Sequence, residues 1–292
     1  MAEFKTTEDT LKWLAERTQE AQKEKDQQAA KAPVQMFLPG LEEAMRAMPN
    51  HIARSSLFAP VARGRKKYHD ETPIVTRADV IMTYTGAQLD EAQSDVWMQL
   101  VFLARNTPLG EPVEINRASF LTAIGRKVGG YQYKWLHQAI KAFTKATIII
   151  VAKRSDGSSK YHIGHTKAFH MLSDFDYNEN TETYTFTIDP RWKALFGGQE
   201  YALIDWEKRL QIGQGQDLAK ALQRLFATSN ESPQRYDLNW LKDKMQYTGR
   251  QRDFKIALDK ALGELKRLEI VTVWRIERST KGTDQLSVSL LK

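Results

Sequence analysis

Cysteine is absent from the 292 residues of this sequence. Without it, the chain has no disulfide bond, no cysteine-ligated zinc or iron–sulfur cluster and no thiol nucleophile. Apolar runs are also short, and none approaches the roughly 18 residues that suggest a membrane-spanning helix. Residues 1–24 are polar and lack the apolar segment of a signal peptide. Since the absence of cysteine also fits a reducing compartment, we expect a cytoplasmic protein.

Sequence motifs of nucleotide-dependent and metal-dependent enzymes are missing as well. Residues 125–130 are rich in glycine, but Tyr131 stands where a phosphate-binding loop needs lysine. His162 and His165 have the wrong spacing for the His-apolar-His metal motif of rolling-circle nickases, and alternation along a strand accounts for them better. We therefore expect no catalytic residue, no metal and no cofactor. A rolling-circle nicking enzyme is the more distant of two alternatives.

The sequence does contain an uneven excess of positive charge. The chain has 43 Lys and Arg against 36 Asp and Glu, a net charge of +7. Residues 112–170 hold ten cations and two acids, and residues 200–292 have a net charge of +4, so the rest of the chain is net acidic. Concentrated positive charge favours an anionic partner such as nucleic acid. With 41% hydrophobic residues, the chain also has enough apolar side chains for folded domains.

Composition divides the chain into an extension and two domains. Residues 1–72 combine a highly charged helical segment with a basic arm, and we expect them to lie outside the core. Residues 73–188 and 189–292 have the alternating and helical patterns of ordinary domains. Further local predictions are a helix over 41–47, a helix over 201–210 and a helix capped by Asn239.

Both predicted domains contain the same succession of elements. Residues 113–153 and 236–276 each run from a short strand through Asn, a helix, Gly-Arg and a longer helix to a β-branched strand. A polar hairpin tip follows, at 154–160 in the first copy and at 277–284 in the second. A helix–turn–helix followed by a two-stranded hairpin is the winged-helix pattern. The sequence therefore predicts an α+β protein with two tandem winged-helix domains and an N-terminal helical or extended extension.

In such domains the second helix enters the DNA major groove, and the hairpin, or wing, touches the phosphate backbone. The helix over 251–267 has one apolar stripe, which leaves a polar face for DNA. Charges on a helix are often merely solvated, and a tyrosine at a helix start often merely packs, so these alternatives stay open. The candidate DNA-contacting residues are Arg126, Lys127, Tyr131, Tyr133, Lys134, Lys153, Arg154 and Lys160 in the first copy, and Arg250, Gln251, Arg252, Lys255, Arg278 and Lys281 in the second.

Several short motifs resemble those of a known family. They are Met-Arg-Ala-Met-Pro-Asn at 45–50, Thr-Tyr-Thr-Gly at 83–86 and Thr-Pro-Leu-Gly-Glu-Pro at 107–112, with weaker matches at 195–198 and 206–208. In these segments the sequence resembles the TrfA family of plasmid replication initiators, over about residues 33–292. Because the motifs are not catalytic patterns, they indicate ancestry rather than chemistry.

The resemblance implies a bacterial, plasmid-encoded protein that binds double-stranded DNA at repeated origin sequences, called iterons. Members of the family melt a nearby AT-rich region and recruit the host initiator, the replicative helicase and the sliding clamp. They also dimerise away from DNA, which limits plasmid copy number. A winged-helix transcription repressor, which needs neither origin melting nor a clamp motif, is the nearer alternative.

The resemblance also implies a clamp-binding peptide upstream of residue 45. Gln35, Met36 and Leu38 occupy its positions, although Pro39 replaces the expected terminal aromatic residue. A short extended peptide with apolar anchors is a suitable ligand for a hydrophobic groove. The alternative is a hydrophobic staple that folds this segment onto the body of the protein.

Overall fold

The computed structural model describes residues 37–38, 40–61, 66–77, 80–153, 159–163, 169–197, 200–280 and 282–291. Of residues 152–153, 159–163 and 169 it describes the backbone alone. The strands are β1 Met45–Pro49, β2 Phe58–Ala59, β3 Tyr68–Pro73, β4 Val80–Ala87, β5 Leu89–Asp90, β6 Val113–Asn116, β7 Thr147–Lys153, β8 Ser159–Ile163, β9 Phe169–His170, β10 Leu172–Asn178, β11 Thr183–Ile188, β12 Tyr201–Asp205, β13 Gln234–Asp237, β14 Val271–Arg278 and β15 Asp284–Leu290. The helices are α1 Asn50–Ala53, α2 Glu91–Leu103, α3 Arg117–Ala123, α4 Gly130–Lys145, α5 Trp192–Phe196, α6 Trp206–Leu210, α7 Asp217–Phe226, α8 Leu238–Lys244 and α9 Gln251–Arg267.

Helix α2 lies at the centre of the first hydrophobic core. It begins at a capping box, in which the Asp90 carboxylate accepts a hydrogen bond from the Gln93 backbone N–H at 2.8 Å. The Gln93 side chain accepts in turn from the Asp90 N–H at 3.2 Å. Every side chain from Gln93 to Phe102 is buried, as in a helix surrounded by protein on all sides. The core around α2 extends along the chain from Leu38 to Trp206.

Strand β1 pairs antiparallel with the distant strand β12, so that Met45 lies opposite Asp205. The predicted helix over 41–47 is wrong, since residues 45–47 belong to β1, and the predicted helix over 201–210 is correct only for its second half, α6, because its first half is β12. Both errors have the same reason. Each strand is too short for its own pattern to show, and the partner that stabilises it is remote in sequence.

The two hydrophobic cores differ from the expected borders of the domains. The sequence predicts an extension up to residue 72, yet Ala47, Met48 and Phe58 are completely buried in the first core. That core also includes Trp206, beyond the expected border at residue 188, whereas the second core begins at Ile212. The β1–β12 pairing explains the difference, because it brings both segments into the same core.

Two winged-helix frames with the same strand order follow one another along the chain. The first consists of β6, α3, α4, β10 and β11, with the three strands in the order β10–β11–β6. The second consists of β13, α8, α9, β14 and β15, with its strands in the order β13–β15–β14. In both sheets the last strand lies in the middle. The predicted tandem winged-helix fold is confirmed.

The first helix of each frame is capped by the last residue of the preceding strand. The Asn116 side chain accepts from two backbone N–H groups at the start of α3, at 3.0 and 3.1 Å. Asp237 does the same for α8, since its carboxylate accepts from the N–H groups of Asn239 and Trp240 at 2.9 and 3.0 Å. The prediction that Asn239 is the cap is wrong, because Asn239 already lies inside the helix.

The hairpin predicted as the wing of the first copy is an insertion between α4 and β10. Strand β7 lies between β4 on one side and β8 with β9 on the other. Its side chains Ile148 and Ile150 are completely buried. The wing position beside β6 is held instead by the β10–β11 hairpin. Since a β-branched strand follows the second helix in both copies, the order of elements in the sequence does not distinguish the insertion from the wing.

A buried cluster of charges joins the two cores. Glu91 on α2 accepts hydrogen bonds from Arg224 on α7 and, at 3.1 Å, from Arg209 on α6. Asp95, one turn further along α2, accepts from Arg209 at 2.5 Å and from Lys220 at 2.6 Å. Burial opposes the ionisation of Asp95, but the two cations outweigh it and lower its pKa. Charge-assisted hydrogen bonds therefore hold α2 of the first core against α6 and α7.

Candidate nucleic-acid interface

Helix α9, the second helix of the second winged-helix frame, presents a polar face to solvent. The predicted apolar stripe on its other side is confirmed, since Phe254 and Leu258 are completely buried. Arg252 and Ile256 lie one turn apart on the exposed side, and Ile256 has an exposed fraction of 61%. Lys260 continues this face by another turn. The predicted contacts omit Ile256 and Lys260, although helical spacing from Arg252 identifies both.

The other predicted residues at the start of α9 differ in their surroundings. The Arg250 side chain is 84% exposed, and its Nε lies 2.9 Å from the Asp253 carboxylate. Gln251 is half-buried. The Nζ of Lys255 donates to Asp284 at 2.6 Å, and this hydrogen bond lowers the pKa of the Asp284 carboxyl. Lys255 thus connects the helix to the first residue of β15, whereas Arg250 projects into solvent.

The wing of the second frame is the β14–β15 hairpin, and it lies against α9. The indole Nε1 of Trp274 on β14 donates to the Asp259 carboxylate on α9 at 2.9 Å. Arg278, the last residue of β14, is exposed. Lys281 falls outside the described residues. The helix and the wing therefore form one continuous surface that includes Arg278.

Helix α4, the corresponding helix of the first frame, carries a regular stripe of exposed polar residues. The stripe consists of Tyr131, Lys134, Gln138, Lys141 and Lys145, which recur three and four residues apart and are all exposed. The Tyr131 side chain is the most prominent, with an exposed fraction of 69%. The sequence predicts Tyr131 and Lys134 as contacts, and the same spacing identifies the other three. The stripe is about 21 Å long and bears three cations.

Two further predicted residues of the first copy take part in packing. The Arg126 guanidinium lies 3.5 Å from the centre of the Trp135 ring. Tyr133 is half-buried, and the Arg117 guanidinium lies 3.9 Å from the centre of its ring. The packing alternative therefore describes Tyr133 well. Lys127, in contrast, is exposed just before α4.

The cations predicted on the wing of the first copy belong to the inserted hairpin. Lys153 and Lys160 lie on β7 and β8, and Arg154 falls outside the described residues. The wing position is held by β10–β11, whose turn exposes Glu179, while Glu182 in the same turn forms an ion pair with Arg117. Because carboxylates repel phosphate groups, this turn is unsuited to a contact with the DNA backbone.

The expected clamp-binding peptide lies at the start of the described chain. Gln35 and Met36 fall outside the described residues. Leu38 is only 6% exposed, and its backbone N–H donates at 2.9 Å to a carbonyl just after α2. The Phe37 ring meets the Phe196 ring edge-on, with 5.1 Å between their centres. These contacts agree with the alternative of a staple that folds the segment onto the body.

The motif at 45–50 that resembles the TrfA family has a structural role in the first core. Arg46 is buried on β1, and its Nε donates to the Gln99 side chain on α2 at 2.8 Å. Its guanidinium lies 3.7 Å from the centre of the Phe102 ring and 4.8 Å from that of Trp206. Burial lowers the pKa of Arg46 to about 10. The motif thus joins β1, α2 and α6 and is not part of the exposed surface.

Two further features are absent from the described part of the chain. Within those residues no three histidine or acidic side chains are grouped closely enough to hold a metal ion. Among the helices described, none is long and apolar enough to cross a membrane. His162 lies on β8, and His165 falls outside the described residues.

Known proteins resemble this chain in sequence and in fold. The family model described as TrfA protein matches residues 5–273. The plasmid replication initiator protein TrfA of Escherichia coli is 28% identical over 209 residues, which make up 69% of this chain and 53% of that protein. This chain therefore spans about half the length of that relative.

Crystal structures of domains 2 and 3 of RctB are similar to this chain. One, of a selenomethionine derivative, matches with a TM-score of 0.51 and 11% identity over 84% of this chain and 99% of that chain. Another matches with a TM-score of 0.49 and 11% identity over 83% and 97%. At such low identity, the first match shows the fold alone. The family model, in contrast, covers most of the sequence, and the chain therefore belongs to the TrfA protein family.

Proposed function

We propose that this chain initiates plasmid replication by binding repeated origin sequences in double-stranded DNA, without enzymatic activity of its own. The observation that carries the proposal is the duplicated winged-helix frame, in which α4 and α9 both expose a polar face with cations. Two such helices suit DNA sites of about two helical turns. Membership of the TrfA family supports the assignment to plasmid replication.

Helices α4 and α9 are suited to different aspects of DNA binding. On α9, Arg252 has the two parallel donors that pair with guanine, and Ile256 is an apolar side chain of the kind that contacts the thymine methyl group. On α4, Lys134, Lys141 and Lys145 are point charges suited to phosphate. We therefore assign sequence choice mainly to α9 and salt-sensitive affinity mainly to α4.

The host proteins that act at the origin complete the proposal. We propose that the bound chain melts a neighbouring AT-rich region and recruits the host initiator, the replicative helicase and the sliding clamp in the bacterial cytoplasm. The E. coli relative, named as a plasmid replication initiator, supports this role. Because Leu38 is buried in the first core, the segment around it must leave the core before it can bind the clamp.

Footprinting of the DNA around the coding region tests the proposal. Regularly spaced protected repeats are expected, whereas a single protected palindrome would identify a transcription repressor instead. Arg252→Ala should weaken binding by about 1–3 kcal/mol, or roughly 5- to 150-fold, and relax the choice of base at one position. Lys266→Ala is the matched control, because Lys266 is an exposed cation near the far end of the same helix. It should bind like the unmodified chain.

A nicking assay tests the absence of enzymatic activity. Supercoiled plasmid carrying the protected repeats is incubated with the full chain and Mg²⁺. The plasmid should stay supercoiled or unwind locally without strand cleavage. A nicked product with a tyrosine joined covalently to DNA would contradict the proposal and identify a rolling-circle enzyme.

A further inference from the structure

A polar hollow of about 110 Å³ lies where the first core meets the second winged-helix frame. Two arginines from the first part of the chain line it, Arg54 just after α1 and Arg77 after β3. From the second frame it is lined by Arg235 on β13 and by the rings of Tyr236 and Trp240. None of the residues that line this hollow is among the predicted DNA contacts. The hollow is therefore a feature that the two recognition helices do not explain.

Hydrogen bonds fix the position of Arg54 at the wall of the hollow. Its Nε donates to the Thr228 hydroxyl at 2.9 Å, and its Nη2 donates to the Thr228 carbonyl at 2.6 Å. Two hydrogen bonds from one guanidinium group determine the orientation of its plane. The Arg54 side chain is also half-buried, and charges interact more strongly there than in open water. Arg54 is thus positioned before any ligand binds.

Trp240 on α8 positions the second arginine, Arg77. The indole Nε1 of Trp240 donates at 3.1 Å to the carbonyl of Thr76, the residue immediately before Arg77. The Tyr236 ring is stacked with that of Trp240, with 12° between their planes and 6.1 Å between their centres. Burial raises the pKa of the Tyr236 phenol, whereas the positive charges of Arg54 and Arg77 act in the opposite direction. Both guanidinium groups therefore lie close to the same ring.

The lining of the hollow has a net positive charge. It includes three arginines and a single acid, Glu231. Glu231 is exposed, and its backbone N–H donates to the Ser229 hydroxyl at 3.2 Å. That hydroxyl can in turn donate its own proton to an anion. Three guanidinium groups and a hydroxyl thus line the hollow against one carboxylate, and this set of donors suits an anionic ligand.

We propose that the hollow binds a terminal phosphate group, either as inorganic phosphate or as a small phosphate monoester. The oxygens of a phosphate are arranged tetrahedrally and can accept hydrogen bonds from three guanidinium groups, whereas a carboxylate has only two oxygens. The volume holds one phosphate group but is too small for a phosphodiester together with both of its sugars. The hollow therefore suits a phosphate at the end of a molecule rather than one within a DNA strand.

A bound phosphate would connect the two cores, because arginines from both sides of the hollow hold it. A ligand that binds only the folded chain also stabilises it. Neither effect requires DNA, so the proposal stands or fails independently of the proposed function.

Isothermal titration calorimetry on the full-length chain tests the proposal. Inorganic phosphate and deoxyadenosine 5′-monophosphate are titrated separately, at an ionic strength kept constant with sodium chloride. We expect one site per chain, and the tighter ligand of the two identifies the source of the phosphate. Arg77→Gln with Arg235→Gln should weaken binding at least about tenfold, since two charged donors are lost. Arg54 is left in place because it also holds Thr228.

The matched control is Lys266→Gln with Arg267→Gln, which removes two exposed cations from the far end of α9 and should bind like the unmodified chain. Circular dichroism shows whether each variant is folded. Either ligand should raise the melting temperature of the unmodified chain and of the control, but not that of the Arg77 and Arg235 double variant.

The proposal is overturned if neither ligand binds, if the double variant binds as tightly as the unmodified chain, or if the control loses binding to the same extent. Binding to a duplex with one repeat provides a further comparison. A double variant that binds DNA more weakly but keeps its affinity for phosphate would mark the hollow as a contact for the DNA backbone, and this result would also overturn the proposal.

Discussion

Replacement of the buried carboxylate Glu91 by glutamine should destabilise the protein and uncouple the unfolding of the two cores. Glu91 accepts from Arg209 and Arg224, and all three side chains are completely buried. Glutamine keeps the shape of the side chain but removes its negative charge. Its amide N–H groups would also face the guanidinium N–H groups of Arg209 and Arg224, so that hydrogen-bond donors meet donors. Loss of one partner from a buried ion pair costs about 3–5 kcal/mol, because the other charge is left uncompensated.

The expected loss of stability is large compared with the loss on breaking an exposed ion pair. For a protein of this size, about 3–5 kcal/mol corresponds to a fall in melting temperature of roughly 6–20 °C. Glu43→Gln is the matched control, because Glu43 also pairs with an arginine, Arg105 at 2.6 Å, but its side chain is largely exposed. An exposed pair contributes about 0–1 kcal/mol, so this variant should melt within a few degrees of the unmodified chain.

Differential scanning calorimetry measures both the size and the shape of the transition. Since the Glu91 cluster joins α2 to α6 and α7, its loss should also divide a single transition into two, with the second core melting first. Urea unfolding at 25 °C provides an independent free energy of unfolding. A Glu91→Gln variant that loses no more stability than Glu43→Gln would refute the role assigned to the cluster.

Three further predictions concern single positions. Burial lowers the pKa of Lys244 to about 7, so the unfolded chain binds more protons between pH 7 and about 10, and stability should rise with pH in that range. Lys244→Met should remove this rise and stabilise the protein at pH 7 by about 1–4 kcal/mol in urea unfolding, and a variant with the original pH dependence would contradict the assignment. Asp237→Ala should destabilise by about 1 kcal/mol, measured in the same way, since α8 loses its cap; an unchanged midpoint would show that the cap is dispensable. Gly86→Ala should lower the melting temperature, because a Cβ atom there would lie 2.8 Å from the Tyr84 hydroxyl and the backbone has φ of +143°; equal melting would show that Tyr84 moves aside freely.

The helices of the winged-helix frames could be predicted from the sequence because their patterns are local. The spacing of Phe254 and Leu258 determines which side of α9 is buried, and this also exposes Arg252. The cap of α8 was misplaced by two residues, since Asp237 and Asn239 are both good capping residues and only the geometry distinguishes them.

The pairing of distant strands could not be predicted in the same way. Met45 and Asp205 face each other only because the whole first core brings them together. The inserted strand β7 resembles a wing strand in sequence, and its partner β4 lies before the winged-helix frame. The predicted DNA contacts of the first wing are misplaced for the same reason. Lys153 and Lys160 lie on the strands of the inserted hairpin, whereas Glu182 occupies the turn of the wing.

The pairing of β1 with β12 has a consequence for how the chain folds during its synthesis. The ribosome adds about 5–20 residues per second, so β1 waits roughly 8–32 s until β12 has been made. During that time the apolar side chains of Ala47 and Met48 lack the strand that covers them in the finished protein. A fragment that stops at residue 188 repeats this unfinished stage permanently. The shortest fragment that closes the first core therefore extends at least to Trp206.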